Sequence, residues 1–264
     1  VRVTFATEPG SSTIDNEDFV SATADLAVVL DGVTPMNRDD TGCRHGVAWY
    51  ARTLGADLVR LAGQDAVSLA DCLAEAIVRT RDAHAGTCDL AHPDSPAATV
   101  AAARVRGNRL DYLVLADSAV VLDIGDEVQV VIDHRAGQVG RRLSANGARP
   151  TAAQVRSHRN RPDGYWVAAE RPDSAYEAIV GAVETTGLRR LMVASDGATR
   201  LVDTFGTVDW RGALDALQDS GPRAWIEATR AAERADAEAD ASTRRVRGKV
   251  HDDASVVFFG FSSS

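Results

Sequence analysis

Apolar residues fall in short blocks along this chain, and their period changes from block to block. Val1 to Thr7 alternates apolar and polar residues as a half-buried strand does. Asp18 to Asp31 reads as two strands that meet near Ala22-Thr23-Ala24-Asp25, the second ending in the run Leu26-Ala27-Val28-Val29-Leu30. From Gly42 to Ala62 the period becomes helical, with Val47, Tyr50, Ala51, Leu54, Leu58 and Leu61 on one stripe. Ser68, with Asp71 three residues on, opens a second helix toward Ala85. Both helices are amphipathic, so each is expected to lay one stripe on a sheet.

The breakers His92-Pro93-Asp94-Ser95-Pro96 end this helical pair, and a meander follows. Ala98–Val105, Leu110–Leu115, Val120–Ile124 and Val128–Ile132 are apolar runs split by Gly107-Asn108, Asp117-Ser118 and Gly125-Asp126, as antiparallel hairpins would be. Residues 135–163 carry little period and hold Arg141, Arg142, Arg149, Arg156, Arg159 and Arg161, which predicts a long flap-like excursion. A helix is expected over Asp173–Thr186. A buried strand Leu191-Met192-Val193-Ala194-Ser195 then runs into Asp196-Gly197. Trp210–Leu217 and Pro222–Ala241 read as two more helices, and Val250–Phe261 closes as a strand entered through His251-Asp252-Asp253. With no repeat and no clear linker, residues 1–264 form one domain on this reading.

Composition narrows the function classes. The chain is 45% hydrophobic and 25% charged, ordinary values for a globular protein with a sizeable core. A formal net charge of -9 argues against nucleic acid or an anionic membrane as partner, because phosphate backbones need a basic face. No stretch approaches the roughly 18 apolar residues of a membrane span, and the start lacks the apolar core of a leader peptide. Cys43, Cys72 and Cys88 are odd in number and far apart in sequence, so neither a disulfide framework nor a thiolate zinc site is expected, and the expected compartment is the cytoplasm. Lys249 is the only lysine amid abundant arginine and alanine, a usage expected of a GC-rich bacterial genome.

Three strands from distant parts of the chain meet aspartates at their ends: Leu30 runs into Asp31-Gly32, Ser195 into Asp196-Gly197, and Asp252-Asp253 into Ala254-Ser255-Val256. Carboxylates converging on rigid strand termini repel one another unless cations lie between them. Hard oxygen ligands point to Mg2+ or Mn2+ rather than zinc.

Taken in order, Asn16-Glu17-Asp18, Asp31-Gly32, Ala98-Thr99-Val100, Ala116-Asp117-Ser118, Ala194-Ser195-Asp196-Gly197 and Asp252-Asp253-Ala254-Ser255-Val256 resemble the successive motifs of type-2C protein phosphatases over nearly the whole chain. The resemblance implies an α+β fold, a four-layer α-β-β-α sandwich of two antiparallel sheets flanked by helices. It implies a two-cation centre, Mn2+ or Mg2+, at one edge. Asp31 matches the ligand that bridges both ions, joined by the Gly32 carbonyl, while Asp196 and Asp252 complete one ion and Glu17 holds the other through water. Asp117 matches a position used for a third, weaker ion in bacterial members, and Asp18 and Asp253 stand beside the site. The implied reaction is hydrolysis of a phosphomonoester, from a phosphoserine or phosphothreonine protein or a small phosphorylated metabolite, by a cation-activated water.

The chain also departs from that pattern. Thr13 stands where the family usually has a phosphate-gripping arginine, and Val33 where some members have a histidine that serves as general acid. An arginine of the 141–161 segment is the candidate replacement for the first. His45, His134 and His251 are the candidates for the second. Ala116-Asp117-Ser118-Ala119 lacks the usual preceding glycine and following arginine, and Asp253 replaces asparagine. Two other readings compete. A haloacid-dehalogenase-like phosphatase would use Asp31, Ser195, Lys249 and Asp252-Asp253, but Asp31 lacks a second aspartate two residues on and the meander is not a parallel pattern. A pseudophosphatase would keep the fold as a binding module without turnover.

Overall fold

A computed structural model describes residues 1–64, 67–144, 147–239 and 249–261. Apolar runs without polar alternation become strands buried on both faces. Strand β3 (Leu26–Gly32) sends Leu26, Val28 and Leu30 to one side and Ala27 and Val29 to the other, and all five are buried. Such a strand needs a layer on each side.

Those layers are a second sheet and a pair of helices. One sheet orders β2 (Phe19–Ala22), β3, β4 (Ala98–Arg106), β5 (Arg109–Leu115) and β8 (Ile179–Glu184) in that sequence; the other orders β1 (Arg2–Glu8), β10 (Ala254–Gly260), β9 (Leu188–Ala194), β6 (Ala119–Ile124) and β7 (Glu127–Ile132). Every pairing is antiparallel. Side chains such as Val29, Val114, Leu122, Val193 and Phe259 fill the space between the sheets. Helices α1 (Gly46–Ala62) and α2 (Leu69–His84) close the outer face of the first sheet through Tyr50, Leu54, Leu73 and Ile77. Helices α5 (Asp196–Asp203) and α6 (Trp210–Glu238) close the second through Leu201, Leu214, Trp225 and Ile226. The four-layer sandwich expected from the sequence is therefore present.

Two details differ from expectation. Residues 173–186 are not a helix: a 3-10 turn over Pro172–Glu177 precedes strand β8, which pairs with β5. Ala and Glu favour helix locally, but the apolar edge of β5 takes the Ile179–Val183 run as a partner strand, and tertiary pairing overrides propensity. Gly181 is required there, since a Cβ would lie 2.2 Å from the Tyr112 hydroxyl. Residues 210–217 and 222–238 lie in two helical stretches, as expected, joined end to end as α6 and broken where Gly221 leaves helical geometry at φ 83° and Pro222 lacks an N–H; the expected end at Ala241 lies outside the described residues. The Arg-rich excursion holds two short helices, α3 (Arg135–Leu143) and α4 (Ala152–Arg156).

A buried cation ties the layers together. Arg104 of β4 is 3% exposed, and its guanidinium donates to the carbonyls of Ala62 at 2.9 Å, Gln64 at 3.3 Å and Val67 at 2.7 Å, between α1 and α2. The Ala62 carbonyl is one that helix α1 leaves unpaired at its end, and the other two belong to the connection between α1 and α2. Cys43 and Cys88, far apart in sequence, meet beside His45 and His84 at the ends of the same two helices, which overturns the expectation that the cysteines mark no cluster.

Candidate metal centre

The sheets end together at one edge, and four aspartates arrive there by four routes. Asp31 lies at the end of β3 opposite Thr99 of β4. Asp117 lies in the turn that carries the chain from the first sheet to the second, between β5 and β6. Asp196 opens helix α5 directly after β9, and Asp252 leads into β10. All four line a cavity of about 290 Å³, with Gly32, Val33, Thr34, Thr99, Tyr165, Val167 and Lys249 among its other walls. A Thr99–Ser118 hydroxyl pair at 2.5 Å pins the two sheets together beneath it.

Close packing makes small residues necessary. A Cβ on Gly32 would lie 2.4 Å from Val47 and 2.6 Å from the Glu17 carbonyl, and one on Gly197 would lie 2.0 Å from the Asp253 carbonyl. Ala116, just before Asp117, holds φ at 65°, a left-handed conformation that costs a non-glycine residue about 1–2 kcal/mol.

The electrostatics are those of too many carboxylates. Burial, then the charges of Asp196, Asp18, Asp252 and Asp117, push the Asp31 carboxyl well above its ordinary range. Burial, then Asp117 and Asp252, push Asp196 up to about 7, against a partial offset from Arg200 and a hydrogen bond with Asp31. Burial pushes Asp18 up to about 8 despite hydrogen bonds with Ser195 and Ser255. One oxygen of Asp196 and one of Asp18 are buried with no hydrogen-bond partner. A buried carboxylate oxygen without a partner is costly, and a hard divalent cation is what an all-oxygen set of this kind fits.

Among the described residues, arginine and lysine side chains meet this acidic group at Asp252 and Glu17. Asp252 accepts from Arg200 at 2.9 Å and from Lys249 at 2.5 Å. Arg200 is held in turn by Glu233 at 2.5 Å, which Arg230 and His251 also contact. Glu17 accepts two bonds from Arg38, both at 2.8 Å, with Thr34 at 3.4 Å. Asp18 accepts from the Ser195 hydroxyl at 2.8 Å. Asp253 accepts from the backbone N–H groups of Gly10 and Glu17, both at 2.7 Å, and so positions the segment that delivers Glu17 and Asp18.

Of the sequence-derived candidates, Asp31, Gly32, Asp117, Asp196 and Asp252 share the cavity, while Glu17, Asp18 and Asp253 stand around it. The candidate general acids lie elsewhere: His45 is in the cysteine cluster, His134 precedes α3, and His251 pairs with Glu233. Thr13 bonds Ser11 in an exposed turn. The flap arginines divide. Arg156 is occupied by Asp94 and by the Thr34 carbonyl at 2.8 Å, Arg159 by the Ser95 carbonyl and Arg142 by the Asp163 carbonyl. Arg141, Arg149 and Arg156 line a neighbouring groove of about 720 Å³, which shares Val155 and Tyr165 with the acidic cavity. Sequence reasoning missed Arg38 and Arg200, whose partners lie 21 and 52 residues away and leave no local spacing to read.

Comparison with known proteins agrees with the four-layer fold. The model of the family described as protein phosphatase 2C matches residues 14–241. The chain resembles the serine/threonine phosphatase PstP/Ppp of Mycobacterium tuberculosis at 19% identity and a TM-score of 0.61, with 97% of each chain covered. It resembles the catalytic domain of PstP in complex with two manganese ions at 19% identity and a TM-score of 0.59, covering 97% of this chain and 96% of that one. The serine/threonine phosphatase Stp1 of Staphylococcus aureus aligns at 13% identity and a TM-score of 0.61, over 99% of this chain and 95% of that one. A search of curated proteins gave no match.

Proposed function

This chain belongs to the protein phosphatase 2C family, and from that premise we propose that its acidic cavity is a two-cation centre, using Mn2+ or Mg2+, that hydrolyses phosphomonoesters. The observation that carries the reading is the partnerless buried oxygen of Asp196 beside an Asp31 whose carboxyl is pushed far upward. Asp31, the Gly32 carbonyl, Asp196 and Asp252 are the proposed direct ligands, and Asp117 serves a further, weaker ion. Divalent cations held there supply Lewis acidity at the phosphoryl oxygens and lower the pKa of an attacking water.

The chain's own residues do the positioning. Arg200, itself fixed by Glu233, holds the Asp252 carboxylate in place. Both Glu17 oxygens already accept from Arg38, which fits a share in cation binding through water rather than by direct contact. Lys249 and Tyr165 stand on the cavity wall as donors to substrate oxygens. Val33, Val155 and Val167 give that wall its apolar part and limit the water around the reacting group.

The substrate reading follows from the groove. A compact metabolite would fill the acidic cavity alone, whereas the adjoining groove with Arg141 and Arg149 has room for the flanks of a phosphorylated peptide. We therefore favour a phosphoserine or phosphothreonine segment of a protein over a small phosphorylated metabolite.

Hydrolysis of para-nitrophenyl phosphate with Mn2+ or Mg2+ tests the reaction. Wild type should turn over, chelated protein should not, and Asp196→Asn should lose at least about 100-fold in kcat. Metal-independent turnover, or full activity in the substituted protein, would refute it. Arg141→Glu should raise KM for an acidic phosphopeptide several-fold while leaving para-nitrophenyl phosphate unchanged. An equal effect on both substrates would remove the groove from substrate binding. A module that binds without turnover has Arg38 and Lys249 on its side, since they already neutralise part of the cluster. The oxygens they leave unpaired deeper in the site weigh against it.

A further inference from the structure

A second, chemically different ligand set lies on the outer helical layer. Cys43 and His45 precede helix α1, His84 is the last residue of α2, and Cys88 follows it by four residues. Their four ligand atoms all lie within 4.8 Å of one another. Cys43 Sγ is 3.2 Å from Cys88 Sγ, 3.8 Å from His45 Nδ1 and 3.6 Å from His84 Nδ1, and Cys88 Sγ is 3.4 Å from His45 Nδ1. A tetrahedral zinc with Zn–S of about 2.3 Å and Zn–N of about 2.0–2.1 Å has ligand–ligand edges of roughly 3.3–3.8 Å. The observed separations fall close to that range, and all three cysteines are free thiols.

The set is built rather than accidental. Gly42 (φ 66°) and Gly46 (φ 79°) bracket Cys43 and His45, and these left-handed turns bring both side chains to one side of the loop. The Gly42 carbonyl accepts from the Asp89 N–H at 2.7 Å, which joins the two ligand-bearing segments through backbone. His84 is 2% exposed and packs against Trp49 and Tyr50, while His45 stacks on Trp49 at 4.3 Å between ring centroids. Rings so fixed keep their Nδ1 atoms aimed at the cysteines.

We infer that Cys43, His45, His84 and Cys88 form a structural Cys2His2 site for Zn2+, distinct from the oxygen-lined cavity. Thiolate and imidazole select zinc, whereas carboxylates and carbonyls select Mn2+ or Mg2+, so one chain carries two sites of opposite preference. Four protein ligands close the coordination sphere, which makes the site structural and not catalytic. The ion would clamp the loop that leaves Asp31-Gly32 and carries Arg38 to the α2–β4 connection, whose Asp94 holds Arg156 of the flap. Zinc thus braces two walls of the phosphatase cavity from outside.

Cobalt substitution of the full, reduced chain tests this directly, because Co2+ bound by two thiolates in a tetrahedron absorbs intensely in the near ultraviolet and visible. Wild type should show that spectrum at one equivalent and lose it when one equivalent of Zn2+ is added. Zinc at about a hundred times its dissociation constant should raise the thermal midpoint by roughly 5–10 °C. Cys88→Ser should drop the cobalt absorption to background, while Cys72→Ala and the cavity variant Asp196→Asn should keep it. A wild-type chain that is folded and reduced yet shows no thiolate–cobalt absorption would overturn the inference, whatever the variants do. So would equal absorption in Cys88→Ser, or a Cys43–Cys88 disulfide found by mass spectrometry in metal-free protein isolated without oxidant.

Discussion

The two ends of strand β6 stand beside aspartates in opposite circumstances, although the strand spans only about 20 Å. At its far end Asp123, with a side chain 1% exposed, accepts from Arg189 at 2.8 Å and Arg190 at 2.7 Å, with Arg211 at 3.5 Å. Burial works against ionisation there too, but these arginines outweigh it and hold the carboxyl below its ordinary range. At the near end, beside Asp117, the shifts of Asp31 and Asp196 run the other way. Where the chain stabilises a buried carboxylate for the fold's sake, it supplies the cation itself. On the proposed reading, the near end is left for cations from outside.

Substitution should give opposite signs at the two ends. Asp123→Ala strips one of two carboxylate partners from buried Arg190, which keeps Asp215, and should cost about 1.5–3 kcal/mol in urea denaturation. Asp31→Asn removes a charge from a repelling cluster and should stabilise chelated protein by about 1 kcal/mol. Equal destabilisation in both would break the comparison.

Proton linkage sharpens it. In chelated protein, Asp18 near 8 and Asp196 near 7 hold protons that the unfolded chain releases near 3.8. The native state therefore binds more protons between about pH 4 and 8, and this cluster's contribution to stability falls as pH rises through that window. Asp123 acts with the opposite sign: its contribution is present above its unfolded pKa and is lost as pH falls below it. Saturating Mn2+ should abolish the first trend, as read from denaturant midpoints at pH 5 and pH 8 with and without chelator, and leave the second, as read on lowering the pH below 3.8. A pH trend unchanged by Mn2+ would dissociate the protons from the cation site.

The smallest effect concerns backbone. The β6–β7 turn near Asp123 uses Gly125 at φ 59°, while the turn into Asp117 uses Ala116 at φ 65°. Ala116→Gly should stabilise the protein by about 0.5–1 kcal/mol, measured by the same denaturation. A loss instead would mean that the alanine methyl contributes more through packing than its conformation costs.

What the sequence revealed follows the same division between local and distant. Asp31, Asp196 and Asp252 were legible because each adjoins an apolar run that announces its own strand, so its place at a sheet edge needs no knowledge of the partner. Strand β8 was misread because its pairing with β5 across some seventy residues decides its conformation. The Cys43–Cys88 meeting and the Arg38–Glu17 pair were invisible for that reason too. Nothing in the spacing of those residues reports the loops that fold them together. The flap arginines were legible as a cluster but not as individuals, because Arg159 bonds a protein carbonyl, Arg141 and Arg149 line the groove, and Arg156 does both.

Arg104 sets how the molecule opens. Its guanidinium sits on the carbonyls between α1 and α2 while its backbone is in the register of β3 and β5. Lifting the helical pair away would break these bonds and expose the apolar face around them in one step, so no partly open state with the helices detached is cheap. Helices and sheet on that side accordingly unfold as one cooperative unit, with amide hydrogen exchange in α1, α2 and β4 governed by a single opening free energy.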